Sequence, residues 1–236
     1  MPQVSIVIRA RNEDRWIGTL LKKLREQTFK NFEIILVDNE STDKTREIAK
    51  KYKVDQIINL PKDEFNYSYA LNLGIQKAKG KYMVITSAHC EPLSNTWLED
   101  GLRYFEDPKV AGVDGHFYFG PSGTWAQQIG DWLDSNNKKK PHTNWPLTAT
   151  NCIIRKDLWK EYPFDERLNG CEDWDWAKEM IARGYKTVKE PKFNVYHHHR
   201  MEPVTWLLME LDWRKTILFQ ILPKKRPSKS YTKITT

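Results

Sequence analysis

The sequence predicts an α/β fold with a mostly parallel central sheet flanked by helices and a helical tail. Three observations carry this expectation. Short apolar runs alternate with amphipathic stretches from residue 4 to residue 88, the rhythm of βαβ units. The first two runs, VSIVIRA at 4–10 and FEIILVDN at 32–39, are nearly continuous in apolar residues, as strands are when helices cover both faces of the sheet. Polar clusters follow the strand ends: RARNE at 9–13, DNESTD at 38–43 and SAHCE at 87–91. In an open α/β sheet the loops beyond the carboxyl ends of the strands converge on one ligand crevice.

In chain order, strand 4–10 leads into a helix from about Asp14 to Gln27, and strand 32–39 into a turn whose Ser41, Thr42 and Asp43 suit a helix cap. A helix from about Lys44 to Tyr52, a short strand at 56–60, a helix from about Tyr67 to Ala78 and a strand at 81–88 complete the first half. The second half reads as a helix at 96–105, strand 110–119, strand 149–155, helix 156–161, helix 174–183 ended by Gly184, and strand 187–197. Between them, 120–146 is polar and punctuated by Gly and Pro and carries Lys138–Lys140. It reads as a substrate lid or as an unstructured insertion.

With 236 residues and 39% apolar content, the chain builds one substantial core, which we assign to residues 1–200, with a helical and basic extension over 201–236. The net charge of +7 favours anionic partners. Lys224, Lys225, Arg226, Lys229 and Lys233 face no acid beyond Pro223, so much of that charge belongs to the tail, which argues against a nucleic-acid groove. Tail residues 203–223 carry Trp206, Leu211, Trp213, Leu218 and Phe219, fitting a helix packed on the domain or a segment lying in a membrane interface. Three separated cysteines without a CxxC pair, no leader-like start and no long apolar stretch imply a cytoplasmic protein, with the inner membrane face as an alternative.

Four segments in order resemble the signatures of family 2 glycosyltransferases: VSIVIRARNE at 4–13, LVDNESTDKT at 36–45, ALNLGIQKAKG at 70–80 and GCEDWDWA at 170–177. The resemblance runs to about residue 199 and implies an inverting enzyme of GT-A fold, of the bacterial surface-polysaccharide type. It implies transfer from a nucleotide-diphosphate sugar, with UDP or dTDP favoured, to a hydroxyl of a glycan or lipid-linked glycan. Asp38 would accept an imide N–H of the base, and Arg9, Arg11, Asn12, Asn72 and Ser87 would line the nucleotide site. An arginine fork suits diphosphate, although Glu13 or Asp14 offers either arginine an ion pair instead.

The family's acidic pair gives the base: Asp173 first, Glu172 second and Asp175 third. A carboxylate at a helix N-terminus is fixed and kept ionised by the peptide dipoles. Trp174 and Trp145 would stack on the acceptor sugar, with Tyr67 and Trp176 completing the lining. Where the family usually has Asp-x-Asp after its fourth strand, this chain has Ser87, Ala88 and His89. Some related enzymes use Asp-x-His with a second, distant His. His89 with His197 or His199, two residues apart on one strand face, would then hold Mn²⁺ or Mg²⁺. The alternative is metal-free neutralisation of the diphosphate by these imidazoles. Two rivals remain at this level. A nucleotidyltransferase would need a Gly-rich, Lys-containing loop after the first strand, and a degenerate nucleotide-sugar-binding partner would not need Glu172 and Asp173.

Overall fold

The computed structural model describes residues 1–120, 123–125, 127–129, 131, 141–168, 170–198 and 203–226. Strands β1 (Val4–Ala10), β2 (Phe32–Asp38), β3 (Gln56–Asn59) and β4 (Tyr82–Ser87) form a parallel half-sheet in the order β3-β2-β1-β4. They are linked by helices α1 (Ile17–Arg25), α2 (Thr45–Lys51) and α3 (Tyr67–Lys77). Side chains alternate along each strand, so Ile6, Ile8, Ile34 and Leu36 meet α1 and α2 on one face. Val7, Ile35 and Val37 meet α3 on the other. Gly74 lets α3 lie close, since a Cβ there would fall 2.5 Å from Val7 Cγ1.

Beyond β4 the sheet becomes mixed. Strand β5 (Cys90–Pro92) is followed by α4 (Trp97–Leu102), a 3₁₀ turn at Arg103–Glu106, β6 (Val110–Tyr118), the two-residue β7 (His142–Thr143) and β8 (Asn151–Arg155). Helices α5 (Lys156–Glu161) and α6 (Glu172–Ala182) then lead to β9 (Lys186–His197). β8 lies antiparallel between β4 and β6, β6 runs parallel to β9, and β5 and β7 pair antiparallel with β9. The mostly parallel sheet expected from the sequence is thus found in β1 to β4 and again in β6 with β9, while β5, β7 and β8 pair antiparallel. Trp97 of α4 stacks on Phe193 of β9 at 4.6 Å, while α5 and α6 share the α3 face.

Two boundaries depart from expectation for a physical reason. Helix α1 begins at Ile17 rather than near Asp14, after a turn in which the Trp16 and Ile17 N–H groups both donate to the Glu13 carbonyl, and side chains from the start of the α2 region hold the preceding N–H groups. Those of Asn12, Glu13 and Asp14 donate to Ser41 Oγ, Thr45 Oγ1 and Asp43 Oδ2 at 2.9, 2.7 and 2.9 Å. Helix α6 starts two residues early, at Glu172, where Gly170 (φ 124°) and Cys171 (φ 60°) turn the chain sharply into its first turn.

Helix α7 (Pro203–Thr216) continues into a wider π turn, Ile217–Ile221, and that turn docks on α6. Lys224 Nζ reaches Asp165 and Asp175 at 2.9 and 2.8 Å, and Arg226 reaches Asp175 and Glu179 at 2.8 and 3.2 Å. Ile221 is buried, whereas Leu208, Leu218, Phe219 and Leu222 are exposed, so the described tail has both a packed face and an apolar face turned to solvent. Among the described residues no helix is long and apolar enough to cross a membrane. Lys138–Lys140, Lys229 and Lys233 lie outside the described residues.

Candidate active site

The loops after β1, β2 and β4 meet at the carboxyl edge of the parallel half-sheet, where β1 sets Ala10 beside Asp38 and Arg9 beside Ser87. A cavity of about 450 Å³ opens there, within the usual range for a small-molecule site, lined by Arg11, Asn12, Thr42, Arg46, Asn59 and Lys62. Asn12, with φ 55°, ties two loops: its N–H donates to Ser41 Oγ and its Oδ1 accepts the Thr42 N–H at 2.8 Å. Asp38 closes the inner end of β2 and is fully buried. Its Oδ2 accepts the Ser41 N–H at 3.2 Å and lies 3.8 Å from Arg46 Nε, while its Oδ1 has no partner among the described residues. A buried carboxylate oxygen left unsatisfied is costly and is suited to accept a donor from a ligand.

Arg9 does not pair with Glu13 or Asp14. Its Nη1 lies 3.4 Å from Glu172 Oε1 and 3.4 Å from the Tyr67 carbonyl oxygen, and its guanidinium sits 5.1 Å from the centre of the Tyr67 ring. Ser87 is half-buried at the end of β4. Asn72 takes a different task from the expected nucleotide contact, because its amide is committed within the protein. Nδ2 donates to Phe164 O and Glu166 Oε1 at 2.9 and 2.8 Å, and Oδ1 accepts Trp159 Nε1–H and the Phe164 N–H at 2.9 and 3.2 Å. It is a strut between α3 and the loop before α6. Trp176 likewise is core, fully buried near Phe164 rather than in a lining.

Glu172 and Asp173 occupy the first turn of α6. Each Asp173 oxygen accepts one backbone N–H: Oδ1 from Trp174 at 2.7 Å and Oδ2 from Ala149 at 2.5 Å. Withdrawal from water, then the adjacent Glu172 charge, push the Asp173 carboxyl up to about 7, and those two N–H bonds and Arg9 oppose the rise. Asp175, two residues on, is fully buried and held by Tyr162 Oη–H at 2.9 Å, Lys224 and Arg226, so it anchors the tail and is removed as a base candidate. Trp174 is half-buried beside Asp173, and Trp145 is 45% exposed, its ring centre 5.4 Å from Lys189 Nζ.

At the β4–β5 corner, pairing of Cys90 with His197 brings two distant imidazoles together. His89 Nε2 and His197 Nε2 are 2.9 Å apart, and His89 Nδ1–H donates to Glu13 Oε1 at 2.7 Å. With its Nδ1 proton on the carboxylate, His89 turns the Nε2 lone pair toward His197, the orientation that a carboxylate–histidine pair gives a metal ligand. As the corner stands, that 2.9 Å contact is a hydrogen bond between the rings, and the spacing is also close to the separation of about 3.0 Å between two nitrogens bound side by side at about 2.1 Å in an octahedral shell, so the pair can hold a divalent ion once that hydrogen bond is given up. Among the described residues no cluster of three His, Cys, Asp or Glu groups completes a shell, so phosphate oxygens and water would fill it. His199 lies outside the described residues. Glu13 was visible in the sequence only as an ion-pair partner for arginine, and nothing local marks it as the partner of a histidine 76 residues away.

The model for glycosyl transferase family 2 matches residues 5–162, about two thirds of the chain. The chain belongs to this family. Glycosyltransferase AglE of Haloferax volcanii is 29% identical over 193 residues, covering 78% of this chain and 63% of its own length. A Methanococcus voltae relative, named as a dolichyl N-acetyl-alpha-D-glucosaminyl phosphate 3-beta-D-2,3-diacetamido-2,3-dideoxy-beta-D-glucuronosyltransferase, is 32% identical, covering 48% of this chain and 38% of its own. The chain thus spans less than two thirds of the length of these relatives. Among solved structures, the mannosyltransferase PcManGT from Pyrobaculum calidifontis, in complex with GDP-Man and Mn²⁺, superposes with a TM-score of 0.72 at 19% identity, covering 96% of this chain and 66% of that one. That likeness establishes the fold as GT-A.

Proposed function

We propose that the chain is an inverting glycosyltransferase that moves a sugar from a nucleotide-diphosphate sugar to a hydroxyl of a glycan or lipid-linked glycan. The observation that carries the proposal is Asp173: half-buried, fixed by two backbone N–H groups, and with an affinity for protons near neutrality, as a general base requires. Asp173 takes the acceptor proton as that oxygen attacks the anomeric carbon from the face opposite the leaving group. The bond to the nucleotide diphosphate breaks with its electron pair leaving on the phosphate oxygen. Arg9, kept near the base by Glu172 and Tyr67, supplies positive charge to the site, and the indoles of Trp174 and Trp145 offer stacking faces to the acceptor.

The buried free oxygen of Asp38 supports recognition of a base by a ring N–H, which uracil, thymine and guanine all provide. We favour UDP or dTDP, and the GDP-Man complex of PcManGT places GDP-sugars in the same panel. His89 and His197 would hold a divalent ion, Mn²⁺ or Mg²⁺, which when bound supplies positive charge to the departing diphosphate. The dolichyl phosphate in the name of the M. voltae relative supports a lipid-linked acceptor. Residues 1–200 form the catalytic unit in this reading and 201–236 its extension.

The test is Asp173→Asn against a panel of UDP-, dTDP- and GDP-sugars, scored by donor hydrolysis. The variant is expected to lose activity by about 10²–10⁴-fold while binding free nucleotide as the wild type does. A fully active variant refutes the assignment.

A further inference from the structure

A buried ion pair behind the base has no part in the chemistry above. Asp114 of β6 is fully buried, and its Oδ2 lies 2.7 Å from Nζ of Lys189 on β9, itself 8% exposed. Taking two charges out of water is costly, so such a pair is a weak source of stability and calls for another reason. Its remaining bonds supply one. Asp114 Oδ1 accepts both the N–H and the Oγ1–H of Thr148 at 2.8 Å each. Thr148 directly precedes Ala149, whose N–H holds Asp173. On the other side of the pair, Lys189 Nζ lies 5.4 Å from the ring centre of Trp145, whose carbonyl accepts Thr187 Oγ1–H at 2.5 Å.

We propose that Asp114 and Lys189 are positioning residues: with Thr148 they hold segment 145–149 so that the Ala149 N–H meets the base and Trp145 presents its face to the acceptor. The inference rests on the reading of Asp173 as the base. The groups that face Asp173 are Glu172 on its own helix, Arg9 of β1, and Cys152 of β8, whose thiol burial keeps protonated. Against that fixed background, the Ala149 N–H is the contact that segment 145–149 controls. It favours the ionised carboxylate, so loosening the segment makes Asp173 harder to ionise.

The test uses the charge-neutral double variant Asp114→Val/Lys189→Met, which removes the pair without leaving a lone buried charge. The Asp173 carboxyl is followed by ¹³C NMR, with Asp173→Asn identifying its signal. The midpoint is expected to rise by about one pH unit and the acid limb of the hydrolysis rate to rise with it, while nucleotide affinity stays unchanged. Thr148→Val, which keeps the pair, is expected to shift the midpoint the same way by less, and Lys189→Arg, which also keeps the pair, is expected to leave it at the wild-type value. An unchanged midpoint in a folded double variant overturns the proposal. If the double variant does not fold, an unchanged midpoint in Thr148→Val overturns it. Should Asp173→Asn keep full activity, the base assignment itself fails; an inactive Asp173→Asn with no midpoint shift in the other variants sinks the positioning role alone.

Discussion

Replacing Glu172 by Gln should move the acid limb of the rate profile down, because Glu172 is the charge that, after burial, most raises the Asp173 carboxyl. Two carboxylates roughly 6 Å apart at an effective dielectric of about 20 repel by about 3 kcal/mol. Solvent screening at the half-buried Asp173 reduces this to a net effect of about one pH unit, about 1.4 kcal/mol. Removing the carboxylate also releases Arg9 from its partner, and its uncompensated charge favours ionised Asp173, so both consequences act in one direction. In the wild type, with a midpoint of about 7, about a tenth of the base is ionised at pH 6. In the variant, with the midpoint near 6, about half is ionised, so the rate at pH 6 relative to each protein's alkaline plateau rises about fivefold. Donor hydrolysis from pH 5 to 9 at saturating nucleotide sugar measures it. A midpoint that stays at 7 or rises refutes both the charge argument and the choice of Asp173 over Glu172 as the titrating base.

Asp38→Asn should weaken nucleotide binding by about ten- to a hundredfold, since a charged acceptor facing a ligand N–H contributes about 1.5–3 kcal/mol. Titration calorimetry with UDP, dTDP and GDP checks this, and equal affinities for variant and wild type remove Asp38 from base recognition. Glu13→Gln should weaken Mn²⁺ binding in the presence of nucleoside diphosphate by about 10–100-fold, because the His89 ring loses the carboxylate that sets its tautomer. Electron paramagnetic resonance of free Mn²⁺ reads the effect without any turnover, and wild-type protein that binds no Mn²⁺ under those conditions removes the ion from the reading.

The sheet is legible in the sequence because its core residues obey local periods. Ile6 and Ile8 fall on one face and Val7 on the other by alternation alone, and α3 follows the 3.6-residue rule over Ala70, Leu71 and Ile75. What escapes the sequence is held by distant partners. β5 has three residues and β7 two, too few for any pattern, and both exist as strands because β9 offers them an edge. The turn that leads into α1 is held from a distance in the same way, since its N–H groups donate to side chains of residues 41–45.

The site divides along the same line. Asp173 could be read from its own neighbourhood, because the Trp174 N–H that holds Oδ1 belongs to the helix turn it begins. Its second donor, Ala149, lies 24 residues upstream, and no local pattern announces it. Asn72 is ambiguous in the sequence for the converse reason: its segment matches a family signature, but a buried amide bonded to backbone looks the same there, and which of the two it is depends on Phe164 and Glu166, more than 90 residues away. The imidazole corner joins both cases. His89 follows a strand end and was legible as an unusual residue there, but what makes it a ligand candidate is the β5–β9 register that sets His197 against it and the Glu13 carboxylate that turns its ring. In the proposed reading, the Ser-Ala-His corner that stands in place of the usual acidic pair keeps a carboxylate nearby, because Glu13 from the loop after β1 holds the His89 ring.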